Sequence, residues 1–231
     1  MTTLSPSAEQ FVSSVLALAP SLAVFDCDGT LWKADSGEQF FYWEIERGLL
    51  SADVAEWARA RYAEYRAGRV DEETMCGEMV TIHKGIRHDL LESAALEFFE
   101  ERIAPGIFPE LQELTTRLAA SECEMWAISS TNDWVVRAGG RRFSIAPERV
   151  IAACVHCENE CATGRLIRVP TDERKAEAIR ELLPRLPDAV FGNSMHDFHM
   201  LELAGHAFAI NPIPDLEKVA GERGWTIYKP H

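Results

Sequence analysis

Two carboxylates stand two residues apart at the end of an apolar run, in Ala23-Val24-Phe25-Asp26-Cys27-Asp28-Gly29-Thr30-Leu31-Trp32. The run before Asp26 has the composition of a strand buried on both faces of a parallel sheet. Side chains two apart on a strand face the same way. At a strand end followed at once by a Gly-Thr turn, Asp26 and Asp28 can therefore reach one site. In open α/β sheets ligands sit outside the carboxyl ends of the strands. These residue types in that place fit nucleophilic attack by Asp26, acid–base work by Asp28, and a metal ion that makes their closeness tolerable. Taken alone, the same four residues also read as an Asp-rich turn that supplies geometry and no chemistry.

Stepping outward from that pair, residues 7–19 carry apolar side chains at helical spacing and end at Pro20, and 22–25 form the first strand. The pattern then changes. Residues 37–49, 52–67, 71–84 and 88–103 all read as helix, with Ser51 suited to an N-cap and Gly68 to a helix end. A helix follows over 107–120, then a strand over 124–132 that ends in hydroxyls, then a helix over 134–141. Residues 149–168 look like a strand pair turning at Thr163-Gly164. A helix over 173–183, a strand over 189–193, a short helix at 200–204, and strands at 207–210 and 225–228 complete the chain. Strands alternating with helices predict an α/β fold, a doubly wound parallel sheet of Rossmann type. Residues 1–33 and 106–231 form this core, and 34–105 an inserted α-helical domain.

The chain of 231 residues has 37 acidic against 23 basic side chains, a formal net charge of -14. Such a surface repels nucleic acid and anionic membranes, which excludes both as partners. It also repels a phosphate ester, so a site for one needs local positive charge. No stretch is long enough to span a membrane. Met1 to Gln10 lacks the basic segment of a signal peptide, so the six cysteines are expected to be reduced in a cytoplasmic protein. Cys154, His156, Cys157 and Cys161 lie close in sequence but lack the second paired half of a zinc site. On a strand, Cys154 and Cys157 would face opposite sides.

The string Phe25-Asp26-Cys27-Asp28-Gly29-Thr30-Leu31 resembles the first motif of the haloacid dehalogenase superfamily, most of whose members are magnesium-dependent phosphohydrolases. Three later stretches match that family's remaining motifs in order. Ser129, at the end of an apolar strand, can hydrogen-bond a phosphoryl oxygen without adding negative charge, and Ser130, Thr131 and Asn132 beside it can add contacts. Lys175 stands near a helix start, where acids are usual and a cation is not, with Arg174 as the competing candidate. Gly192-Asn193-Ser194-Met195-His196-Asp197 resembles the fourth motif. Asn193 departs from it, because the commoner residue there is Asp; an amide oxygen can still ligate magnesium, but brings no charge.

The resemblance extends to the phosphoserine-phosphatase-like branch, whose helical cap occupies the place of 34–105. It implies phosphomonoester hydrolysis through an aspartyl-phosphate, with Asp26 as nucleophile and Asp28 as acid, then base. Mg2+ would be held by Asp26, the Asp28 carbonyl, Asn193 and Asp197. Ser129, Lys175 and the turn amides of residues 27–29 would bind the phosphoryl oxygens. Asp35, nine residues after the nucleophile, lies close to where that branch has an acid for a substrate amine. With Phe40, Phe41, Tyr42 and Trp43 nearby, an amine- or ammonium-bearing phosphate ester is the expected small-molecule partner; the same aromatics can equally be cap core. A phosphotransferase with an alcohol acceptor and a catalytically silent relative are the alternative readings.

Overall fold

The structure, a computed structural model, describes residues 4–230. Strand β1 (Leu22–Phe25) is buried at all four positions. Its side chains alternate between two apolar layers, Ala23 and Phe25 in one, Leu22 and Val24 in the other, as the period of a strand requires. β1 pairs in parallel with β2 (Glu124–Asn132) on one side and β5 (Ala189–Gly192) on the other. Beyond β2 lie β3 (Val150–Glu158) and β4 (Cys161–Arg168); beyond β5 lie β6 (His206–Ile210) and β7 (Thr226–Tyr228). The described residues thus form one sheet in the order β4-β3-β2-β1-β5-β6-β7, parallel except for the β3–β4 hairpin. The chain builds one side outward from β1 and then returns to build the other from β5. Connections diverge between these two strands and open a crevice at their carboxyl ends.

Helices α1 (Pro6–Leu16), α6 (Pro109–Ala120) and α7 (Asp133–Gly140) cover one face through Val12, Leu111 and Trp134. On the other face, α8 (Glu173–Leu182), α9 (Phe198–Leu201) and α10 (Pro214–Arg223) do so through Ile179, Met200 and Leu216. Between β1 and α6 run α2 (Ser36–Glu46), α3 (Ala52–Arg66), α4 (Glu72–Thr81) and α5 (His88–Phe98), followed by a π-turn over Phe99–Ile103. Asp35, Ser51 and Asp71 each accept a main-chain N–H at the start of α2, α3 and α4, which satisfies donors a helix start leaves open. This insertion packs in two ways. Phe41, Ala58, Tyr62, Val70 and Met75 form a small apolar cluster of their own. Leu91, Ala95 and Phe98 of α5 join the main core, where the Trp32 and Phe99 rings meet edge to face at 5.1 Å. α2 and α4 end at Glu46 and Thr81, earlier than their apolar pattern suggests.

Three expectations need correction. The β3–β4 hairpin turns at Asn159 and Glu160, whose φ angles of 49° and 64° make the left-handed two-residue turn that suits strand twist. Thr163 and Gly164 lie within β4. The helix after β5 begins earlier than residue 200, as a 3-10 turn over Met195–Asp197 that runs into α9. Cys154 and Cys157 line one open groove beside His88, because the β3–β4 register shifts twice between them. All six cysteines are unpaired. Among the described residues no helix is long and apolar enough to cross a membrane.

Candidate active site

The end of β1 is held open by its neighbour: the Asp26 N–H donates to the Phe191 carbonyl of β5 at 2.9 Å. The chain then turns away. Gly29 has φ +76°, and a Cβ there would lie 1.9 Å from Asn193 Nδ2. The turn therefore needs glycine both for its conformation and for the approach of Asn193. The Gly29 N–H is taken by the Trp32 carbonyl at 2.7 Å, which leaves Cys27 and Asp28 as the turn amides that could face an oxyanion.

Asp26 is buried, with its carboxylate fixed at both oxygens. Lys175 Nζ donates to Oδ1 and Thr30 Oγ1 to Oδ2, each at 2.8 Å. Lys175, only 3 % exposed, also donates to Asp197 Oδ1 at 2.6 Å. It reaches inward from the first turn of α8, whose preceding residue Asp172 has φ 49°. The competing Arg174 points away and pairs with Glu73 at 2.9 Å. One ammonium thus serves two buried carboxylates. Burial and the Asp197 charge raise the Asp26 carboxyl to about 7 against the pull of Lys175. Burial would lower the Lys175 ammonium, but Asp197 and Asp26 outweigh it and hold it well above its ordinary value. The other Asp197 oxygen accepts the main-chain N–H groups of Asn193 and Ser194, at 2.9 and 3.0 Å.

Asp28 is held differently. Its Oδ1 accepts from Trp32 Nε1 at 2.6 Å, Ser36 N at 2.9 Å and Ser36 Oγ at 2.6 Å. Its Oδ2 accepts from Thr131 Oγ1 at 2.8 Å. Thr131 comes from the end of β2, where Ser129 pairs with Ala152 and Asn132 already with Ala153. Ser130 and Thr131 therefore bulge out of the ladder, as strands do where a side chain is re-aimed. As a result Ser129, Ser130 and Thr131 all line the same cavity as Asp26.

That cavity, of about 380 Å³, lies between the strand ends and helices α2 and α4. Asp35, Glu38 and Glu72 contribute carboxylates to it, and Phe41, Tyr62 and Tyr65 contribute rings. Asp35 is open to the cavity, yet burial between core and insertion and the Asp28 charge raise it to about 6. Besides lining the cavity it caps α2, accepting from Glu38 N at 2.8 Å. Of the neighbouring aromatic run, Phe40, Phe41 and Trp43 are buried while Tyr42 is exposed. At the mouth, Glu72 of α4 meets His196 Nε2 at 2.7 Å and accepts from Ser130 Oγ at 3.1 Å and Thr171 Oγ1 at 3.3 Å. His196 is raised to about 9 by Glu72, with Asp172 at 2.8 Å on its other nitrogen. Burial would raise Glu72, but His196 outweighs it and holds the carboxyl low.

Among the described residues no three His, Cys, Asp or Glu side chains converge into a metal site by themselves. The set at hand is instead two carboxylates, Asp26 and Asp197, with the Asn193 amide and the Asp28 main-chain carbonyl. All are hard oxygen donors, the kind magnesium takes. The local charge agrees, because Asp26 and Asp197 share Lys175, and Asp28 beside them has only neutral donors.

The sequence matches the model for haloacid dehalogenase-like hydrolases over residues 23–202, from β1 through α9. The chain belongs to that family. A histidinol-phosphatase of Neisseria meningitidis is 26% identical over 219 residues, 90% of this chain and 97% of that one. The phosphoserine phosphatase SerB1 of Mycobacterium tuberculosis is 30% identical over 137 residues, 57% of this chain and 44% of that one. Among solved structures, a Bordetella pertussis protein of unknown function superposes with a TM-score of 0.77 at 23% identity, over 90% of this chain and 97% of its own. A phosphoserine phosphatase, solved as a phospho-aspartyl intermediate analogue, superposes at 0.58 with 18% identity, over 90% and 92%. These two likenesses concern the fold, which is that of the haloacid dehalogenase-like hydrolases. The chain is a phosphatase of this family.

The four stretches singled out in the sequence, around Asp26, Ser129, Lys175 and Asn193, meet at one cavity. Sequence reasoning missed Thr30 and Ser36, the hold of Trp32 and Thr131 on Asp28, and the Glu72–His196 pair. Thr30 lies within the first motif and Trp32 just after it, so a turn drawn at atomic detail could have found them. Thr131 depends on a bulge, and Glu72 on how α4 docks; neither has a local signal.

Proposed function

We propose that this phosphatase hydrolyses a small phosphomonoester that carries an amine or ammonium group and no carboxylate. The observation behind this is the composition of the cavity. Beyond the phosphate end it offers Asp35, Glu38 and Glu72 with Tyr62, Tyr65 and Phe41, and among the described residues no arginine lines it. A cation gains there from charge and from aromatic faces, whereas a substrate carboxylate would meet like charge, and the cation at the mouth, His196, is already paired with Glu72 and Asp172. The relative named histidinol-phosphatase supports this class, since histidinol phosphate bears an amine and an imidazole but no carboxylate.

In this reading Asp26 attacks phosphorus in line, and the bond from phosphorus to the alcohol oxygen breaks. Lys175 and Thr30 hold the attacking carboxylate in a single orientation. Asp28 gives its proton to the departing oxygen, then takes one from the water that cleaves the acyl phosphate and frees Asp26. Ser129, Ser130 and Lys175 meet the phosphoryl oxygens. Magnesium, when held by Asp26, the Asp28 carbonyl, Asn193 and Asp197, supplies positive charge that lowers the cost of negative charge at the phosphoryl group. Helices α2–α4 act as the cap over the leaving group. The unpaired cysteines suit a cytoplasmic setting.

The test is kcat/KM for histidinol phosphate and phosphoethanolamine beside phosphoserine and a sugar phosphate of similar size, in wild type and Asp35→Asn. Amine esters are expected to lead, and Asp35→Asn to weaken them selectively. A preference for sugar phosphates, or an equal loss on every ester, would refute the class. Stoichiometric phosphate release without an added alcohol separates hydrolysis from phosphotransfer.

A further inference from the structure

Asp28 is the carboxyl whose proton must move twice, and its two oxygens are not equivalent. Oδ1 already accepts three hydrogen bonds, from Trp32 Nε1–H, the Ser36 main-chain N–H and the Ser36 hydroxyl, and the first two of these groups can only donate. A proton on Oδ1, even one accepted by the Ser36 hydroxyl, would leave a single lone pair for the two N–H groups, so at least one of them would lose its acceptor. Oδ2 faces the Thr131 hydroxyl alone, which can donate or accept by turning about its C–O bond. When Asp28 is ionised, Thr131 donates to it; when it is protonated, Thr131 can accept. The surroundings keep this arrangement tight. Trp32 is 0% exposed and Ser36 is 0% exposed, and the Trp32 ring is packed against Phe99. A Cβ at Gly37 would lie 3.0 Å from Thr131 Oγ1, so the start of α2 closes on that hydroxyl.

We propose that Trp32, Ser36 and Thr131 are positioning residues for the acid: the first two block Oδ1, and Thr131 presents Oδ2 as the oxygen that exchanges the proton. Asp28 transfers a proton from Oδ2 to the alcohol oxygen as the phosphorus–oxygen bond breaks. It regains one at the same oxygen from the hydrolytic water, so the group ends as it began. Two of the three positioning residues lie outside the turn that carries Asp28. Ser36 opens the inserted helices and Thr131 sits in the β2 bulge, so assembly of the acid depends on the docking of α2 against β2. The proposal rests on the acid role of Asp28 given above and is independent of the amine preference.

The experiment compares kcat/KM on an alkyl ester, phosphoethanolamine or whichever alkyl phosphate the enzyme prefers, with that on para-nitrophenyl phosphate. The nitrophenolate leaves with little need of a proton. Thr131→Val is expected to lower the alkyl-ester value about 10–100-fold, part of what general acid catalysis supplies, and the aryl-ester value much less. Thr131→Ser, which keeps the hydroxyl, should restore the ratio. Trp32→Phe should shift the ratio in the same direction as Thr131→Val. Asp28→Asn sets the limit of the effect. If Asp28→Asn changes the ratio and Thr131→Val does not, the positioning proposal fails while the acid role stands. If neither changes it, the acid role and the proposal fail together. An equal loss on both esters in Thr131→Val means a merely structural role and also overturns the proposal.

Discussion

Lys175→Met removes the ammonium shared by Asp26 and Asp197 while keeping most of the side-chain volume. Its two hydrogen bonds, at 2.8 and 2.6 Å, both go to buried carboxylates. Without it two buried charges face each other uncompensated, and breaking a buried pair in this way costs about 3–5 kcal/mol. For a chain of this size that corresponds to a fall in Tm of roughly 6–20 °C at about 2–4 °C per kcal/mol. The pH dependence has a definite sign. The folded-state Asp26 value, about 7, lies above that of an unfolded Asp, so this group withdraws stability as pH rises from about 4 to about 7. Lys175, raised above its ordinary value, stabilises throughout that range and loses its effect only in strong base. The variant should therefore be worst at pH 8 and approach wild type as Asp26 protonates toward pH 5. The assay is thermal unfolding of both proteins in EDTA across that range, with a second series in magnesium, which should recover part of the loss. A fall below about 2 °C at pH 8, or one that does not vary with pH, would refute the view that Lys175 balances both carboxylates.

Other perturbations test separate parts of the site. Asp26→Asn should fold and lose hydrolysis by several orders of magnitude, read as phosphate release, because an amide is a poor nucleophile. Asn193→Asp should lower the magnesium concentration for half-maximal activity, since it adds a charge among the expected ligands; an unchanged value would remove residue 193 from that set. Gly29→Ala imposes φ +76° on a residue with a Cβ and drives that carbon onto Asn193. It should cost about 1–2 kcal/mol in thermal unfolding and raise the magnesium requirement. Glu72→Gln weakens a partly exposed pair worth about 1 kcal/mol. It should speed amide exchange at the start of α4 roughly fivefold while leaving β1 and β5 unchanged.

How far the sequence spoke for itself depended on how local each determinant was. Asp26, Ser129 and Asn193 stand at the ends of apolar strands, and strand ends on one edge of a parallel sheet must converge. The helical stretch between β1 and α6 was legible from spacing and from caps such as Ser51. The β3–β4 turn was not, because Thr163-Gly164 carries the stronger local turn signal while strand pairing puts Asn159 and Glu160 at the bend. The role of Asp35 was only half legible. Its distance from the nucleophile suggests a substrate contact, but Ser36 and the pattern after it equally require a cap, and the residue does the second while facing the cavity.

Charge explains why the remaining contacts had to come from far along the chain. Asp26, Asp28 and Asp197 cluster at the proposed phosphate site, in a protein whose net charge is already -14. Each carboxylate is tolerated through donors that its own strand cannot supply. Asp26 needs Lys175 of α8, and Asp28 needs Ser36 of α2 and Thr131 of β2. Glu72 needs His196, beyond β5. A site built from acids is therefore completed only when core and insertion dock. That docking also brings Asp35, Glu38 and Glu72 to the cavity. An ester carrying its own positive charge would offset their repulsion of the phosphate, whereas one carrying a second negative charge would add to it. The acids that need donors from far along the chain are thus also the reason for proposing a cationic leaving group.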